Sequence, residues 1–184
     1  SRDILARLIY GARVSLIFAF SLAAVGIIVG GTLGSIAGYF RGLLETFLMA
    51  LVDTWLSFPA LIGLVFITTM LGMRNLVVLV LVGAIFIWPS YTRIARATAL
   101  SVSGQAFVTA ARAIGTSRKR ILVREIFPNV LPALLAYSLV GLPILIILES
   151  TLSFLGLGVE IPTASWGGMI NQARQDLLIN IWPA

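Results

Sequence analysis

The chain has 184 residues, 59% apolar and only 11% charged, with a mean hydropathy of +1.05, and so few charges cannot clothe an ordinary soluble domain. It carries a formal net charge of +6 with no histidine and no cysteine, which excludes disulfides, thiol catalysis, histidine general bases and the usual zinc or haem ligand sets. The basic residues gather in one segment between long apolar runs, which suits a cytoplasmic membrane face and argues against nucleic-acid binding.

A helix needs about 20 apolar residues to cross a hydrocarbon core. Runs of that kind lie at about 14–38, 46–71, 76–94 and 130–157, so the expected fold is an all-α polytopic transmembrane helical bundle, a single membrane domain over 1–184. In the first run Gly26, Gly30, Gly34 and Gly38 recur every four residues, a strip without side chains along which another backbone can approach closely. That strip predicts helix packing and has no implied substrate role. The second run holds Asp53 and Pro59, the third Pro89, and the fourth Pro132, Pro143 and Glu149. Prolines are tolerated in membrane helices when neighbours re-satisfy the freed carbonyls, so kinks are predicted at all of them.

Asp53 and Glu149 are ionisable groups at membrane depth, each costing about 2.5–3.5 kcal/mol unless paired, hydrated or protonated. Two readings stand for each: a lining of a transport path or proton relay, or a hydrogen bond fixing helix against helix. No second acid or buried base accompanies them to make a relay.

Between the third and fourth runs, Arg93, Arg96, Arg112, Arg118, Lys119, Arg120 and Arg124 face the single acid Glu125, which makes this loop cytoplasmic. Counting outward, the turn at Arg41 is also cytoplasmic, and the Met73 to Asn75 turn and both chain ends lie outside. Within the loop, about 101–128, Phe107, Ala110, Ala111 and Ile114 share a helical face; Gly115 interrupts, and Ile121, Leu122 and Ile126 begin a second amphipathic piece. The expectation is two short helices with a glycine elbow. Anionic lipid would account for the arginines of such a loop but not for its small-residue face. The closing stretch, 158–184, mixes Trp166, Trp182, Pro162, Gly167 and Gly168 with polar residues and reads as an external loop with a short interfacial helix.

The segment FVTAARAIGTSRKRILVREIFPNVLP, Phe107 to Pro132, resembles the EAA loop of permease subunits in binding-protein-dependent ABC importers. Ala110, Ala111, Gly115, Ile126 and Pro128 match that pattern. Thr109 stands where it usually has glutamate, at the position of an expected ionic contact with the ATPase. The stretches DILARLIYGARVSL, VDTWLSFPAL and LESTLSFLGLGVEIPTASWGGMI narrow the resemblance to the dipeptide and oligopeptide permease subfamily of the DppC/OppC type.

This resemblance implies an ABC importer permease fold, with a span beyond each end of the present chain, in the plasma (inner) membrane of a bacterium or archaeon. It also implies cytoplasmic ATPase subunits, a second permease subunit forming a heterodimer, an extracytoplasmic substrate-binding protein and a membrane-lipid surround. The coupling loop would comprise Phe107, Thr109, Ala110, Ala111, Gly115, Arg118, Ile126 and Pro128. No cofactor is expected on this chain, because no G-x-x-x-x-G-K-[ST] phosphate loop surrounds its only lysine, Lys119. ATP and Mg would sit on the partner ATPases, and the chain would be no enzyme. The rival class is an ion- or proton-coupled secondary transporter or channel using Asp53 or Glu149.

Overall fold

A computed structural model describes residues 4–72, 75–159 and 165–176. The described residues form helices and turns. Helix α1 spans Ile4–Phe40, α2 Gly42–Leu56, α3 Ala60–Leu71, α4 Leu76–Ser103, α5 Ala106–Ala113, α6 Arg118–Phe154 and α7 Trp166–Asp176. Helices α1, α4 and α6 are each long and apolar enough to cross a membrane. Helices α2 and α3 reach that standard only as a pair, bent by 74° at their junction.

That bend falls at Pro59, where a kink was expected within the second run, 46–71, and it is sharp enough to split the run into two helices. Proline disfavours helical geometry in the residue before it, and α2 ends at Leu56 with Ser57 N–H closing on Asp53 O and Phe58 N–H on Trp55 O. The other prolines behave differently, for α4 runs through Pro89 and α6 through Pro132 and Pro143 without a break.

Pro89 cannot donate to the carbonyl four residues back, that of Ile85. The indole Nε1–H of Trp55 donates to that carbonyl instead, at 2.8 Å. Replacing Trp55 with phenylalanine is expected to cost about 1–2 kcal/mol, the price of an unsatisfied carbonyl, read as a lower denaturation midpoint of the detergent-solubilised protein.

Two spans carry π-helical turns, Gly26–Gly30 in α1 and Leu122–Ile126 in α6. The second falls where a separate amphipathic helix was expected. Instead Arg118 to Ile126 is the first part of α6, because no glycine or proline interrupts the chain between Arg118 and Phe127 and Ile121 and Ile126 are fully buried. The loop expected over 101–128 therefore holds one separate helix, α5. The third span likewise outlasts its expected end at residue 94: nothing breaks the helix before Gly104, and Ala95 and Ala99 are fully buried.

The chain divides into two compact units. One comprises Ser1–Leu22, Ala60–Gly83 and Gly141–Ala184, the other Ala23–Pro59 and Ala84–Val140. In the first, Phe18, Leu22, Leu64, Leu79 and Leu152 are almost wholly buried, and Trp166 Nε1–H donates to Leu8 O at 3.0 Å, holding α7 to α1. The expectations for Met73, Pro162 and Trp182 lie outside the described residues. In the second unit the core gathers Tyr91 and Ala95 of α4, Val108 of α5, and Ile121, Ile126 and Leu134 of α6.

The glycine strip of α1 faces α4. A Cβ on Gly26 would lie 2.5 Å from the Tyr91 ring, and one on Gly30 would lie 2.5 Å from Trp88 O. One on Gly34 would run into Thr92 O and lie 2.6 Å from Ala95 Cβ, and one on Gly38 would lie 2.6 Å from Arg96 O. Gly26 thus makes room for the Tyr91 ring, and Gly30, Gly34 and Gly38 bring α1 directly onto the backbone of α4, an approach that only hydrogen side chains allow.

Candidate functional site

Helix α5 is built by its two ends. Gly104 N–H bonds Ser101 O and Gln105 N–H bonds Val102 O, ending α4 in a tight turn, and Gln105 then takes an extended conformation before α5 starts. At the other end Gly115 N–H bonds Arg112 O at 3.0 Å and Thr116 N–H bonds Ala111 O at 3.1 Å. With Gly115 at φ +79°, this is a Schellman termination, which needs a residue in the left-handed region and so favours glycine. The elbow is a helix stop followed directly by the next span.

Between those ends α5 is two-faced. Val108 is fully buried in the core with Ile121 and Ile126, and Ala111 is half-buried against it. The rest of the surface carries Phe107 (38% exposed), Thr109, Ala110 and Ile114 (83% exposed), so of the four residues expected to share one face only Ala111, at its edge, turns inward. An 83% exposed isoleucine beside a phenylalanine and an alanine gains nothing from water and is suited to burial against another protein. Thr109 Oγ1–H donates to Gln105 O of its own helix at 3.4 Å. Arg118 opens α6 and is exposed, as is Pro128, while Ile126 is buried.

The two membrane acids have different surroundings. The Glu149 side chain is fully buried, and it accepts hydrogen bonds from Ser15 Oγ–H and Ser153 Oγ–H, both at 2.7 Å. It therefore bonds α6 to α1. Asp53 pairs with Arg93 at 2.6 Å on an exposed surface, the side chains 62% and 53% accessible. Beside that pair, Trp55 lies 6.2 Å from Trp88 and Phe58 stacks on Phe86 at 6.3 Å.

The base beside Asp53 is an exposed one, Arg93. Arg93 and Arg96 were assigned to the cytoplasmic loop, but both lie within α4, and Arg96 pairs with Glu45 of α2, Nε–H to Oε1 at 2.6 Å. These two pairs and the Trp55 contact were missed. Their one sequence signal is the three-residue spacing of the arginines, which puts them on one helix face.

Among known proteins, the family model for the inner membrane component of binding-protein-dependent transport systems matches residues 30–182. The chain belongs to that family. Its relatives include the oligopeptide transport system permease protein OppC of Haemophilus influenzae, 33% identical over 98% of this chain and 58% of that protein. Another is the glutathione transport system permease protein GsiD of Pectobacterium atrosepticum, 34% identical over 97% of this chain and 59% of that protein. The chain thus spans a little under 60% of the length of these relatives. A chain of the MetNI methionine ABC transporter, solved in inward-facing conformations, shares the fold with a TM-score of 0.78 at 20% identity, covering 95% of this chain and 83% of that one. For a member of this family, the membrane-crossing lengths of α1, α4 and α6 are those of an inner-membrane component.

Proposed function

We propose that this chain forms the membrane core of a permease subunit in an ATP-driven importer of peptides, with α5 as the element that couples it to cytoplasmic ATPase subunits. The observation that carries this reading is the construction of α5. One side is anchored by Val108 in the hydrophobic core of the second unit, and the other leaves Phe107, Ala110 and Ile114 without a cover. Peptides are the substrate class because the relatives are named for oligopeptides and glutathione, itself a short peptide.

An extracytoplasmic binding protein delivers the peptide, and a second, related permease subunit completes the path. ATP and Mg are bound by the ATPases, and this chain holds no cofactor and catalyses no reaction. Closure of the ATPases moves α5; because α4 leads into it and α6 leaves it through a four-residue link, both spans follow. This is alternating access driven through a bistable helical bundle. The gradient-coupled alternative draws little from Asp53, which is paired with Arg93, or from Glu149, which accepts two serine hydroxyls.

The test uses the full-length permease reconstituted with its partner permease, ATPases and binding protein. Ala110→Arg and Ile114→Glu place charge on the uncovered face and leave Val108 in its core. Stimulation of ATP hydrolysis by peptide-loaded binding protein is expected to fall about tenfold or more, as when an interface centre is disrupted, with insertion and melting unchanged. Normal stimulation in both variants, or uptake with no ATPase present, overturns the reading.

A further inference from the structure

A cavity of about 440 Å³ opens where α1 ends and α6 begins, lined by Tyr39, Phe40, Arg112, Thr116, Arg118 and Ile121. Its chemistry is one-sided, with two guanidinium groups, a threonine hydroxyl and a tyrosine, and no carboxylate. The ion pairs among the described residues are Arg93 with Asp53 and Arg96 with Glu45, so neither cavity arginine is neutralised. Arg112 is also held in place, its guanidinium carbon 5.3 Å from the centre of the Tyr39 ring, a cation–π contact that orients the fork without consuming its charge.

We propose that this cavity binds the phosphate headgroup of an anionic phospholipid. A planar guanidinium presents paired N–H donors that match phosphate oxygens, and Arg112 and Arg118 bring two such forks to one space with the Thr116 hydroxyl beside them. The location selects a lipid over a free anion. Phe40 lies two residues beyond the end of the apolar run 14–38 and next to Arg41, which sets the cavity at the end of a span, where headgroups lie. Phe40, on its rim, is 38% exposed, and Leu43, three residues on, is 90% exposed, which gives acyl chains an apolar surface to follow. Basic pockets between spans on the cytoplasmic side hold anionic headgroups by this combination. The bound lipid would also touch Arg112 of α5 and so would brace the coupling helix against the bundle.

The probe is phosphatidylglycerol, tested on the full-length protein in nanodiscs of phosphatidylcholine with and without it. Phosphatidylglycerol is expected to raise the melting temperature by about 2–4 °C, the scale of one bound ligand on a protein of this size, and to remain as a lipid adduct in native mass spectrometry. The paired change R112Q/R118Q should abolish both effects, and R112K/R118K, which keeps the charge but not the fork, should weaken them. K119Q/R120Q, which removes equal charge outside the cavity, should leave both intact. The readout is the difference between the two lipid mixtures for each variant, which removes any general loss of stability.

Equal loss in K119Q/R120Q would mean diffuse surface charge and no headgroup site. A matching rise from inorganic phosphate in phosphatidylcholine discs would reassign the cavity to a soluble anion. Displacement of the adduct by added ATPase, with failure of R112Q/R118Q to assemble, would reassign it to an acidic side chain of that partner. Each of these results overturns the proposal.

Discussion

Replacing Gly34 with leucine should prevent the second unit from packing. A Cβ at this position would already run into Thr92 O and lie 2.6 Å from Ala95 Cβ and 2.8 Å from Arg96 N. Two of those atoms belong to the backbone of α4 and cannot rotate away, so the only relief is separation of α1 from α4 along the whole strip. Overpacking costs about 1–3 kcal/mol where side chains can adjust; here Gly34→Ala should reach that range and Gly34→Leu should exceed about 3 kcal/mol. Gly141→Leu is the internal control, because a Cβ there meets nothing within 4 Å. Thermal unfolding and protease resistance of the purified protein should separate the two sites clearly; equal melting of Gly34→Leu and Gly141→Leu would show that the close approach of α1 to α4 contributes nothing.

Arg96→Ala should be the second most damaging change, at about 2–3 kcal/mol. Its partner Glu45 is only 17% accessible, and removing one member of a buried pair leaves an uncompensated charge, worth about 3–5 kcal/mol when burial is complete. Arg96 is itself 36% accessible, so solvent lowers the figure. The double change Arg96→Ala with Glu45→Gln should recover much of the loss, since it removes both charges. The exposed pair of Asp53 and Arg93 offers the contrast. With both side chains more than half accessible, Arg93→Ala should cost about 1 kcal/mol or less in detergent. A double-mutant cycle on each pair measures the difference directly, and coupling energies that rank in the reverse order would show that accessibility does not govern them.

These two cases show where local reading succeeds and where it stops. The helical class, the apolar spans, the glycine strip and the Gly115 stop are all legible in the chain. Each depends on composition, on a period of about four residues, or on the backbone of one residue, and such properties survive whatever surrounds them. The prolines show the limit, for kinks are expected at Pro59 and Pro89 alike, yet the chain turns by 74° at the first while α4 passes through the second unbroken.

What separates the two prolines is tertiary. The carbonyl that Pro89 leaves free is met by Trp55 of another helix, a partner 30 residues away in sequence that no local pattern names. The same holds for Arg93 and Arg96: charge alone groups them with the basic residues of the loop, and only folding brings Asp53 and Glu45, 40 and 51 residues earlier, within pairing distance. By itself, then, the sequence determined that the chain crosses a membrane as helices, that one of them is smooth along a face, and that a helix stops at Gly115. Only the tertiary structure decided which charges are neutralised, which face of α5 is left uncovered and where two unpaired arginines meet in a cavity, because burial and ionic pairing depend on neighbours that folding alone brings within reach.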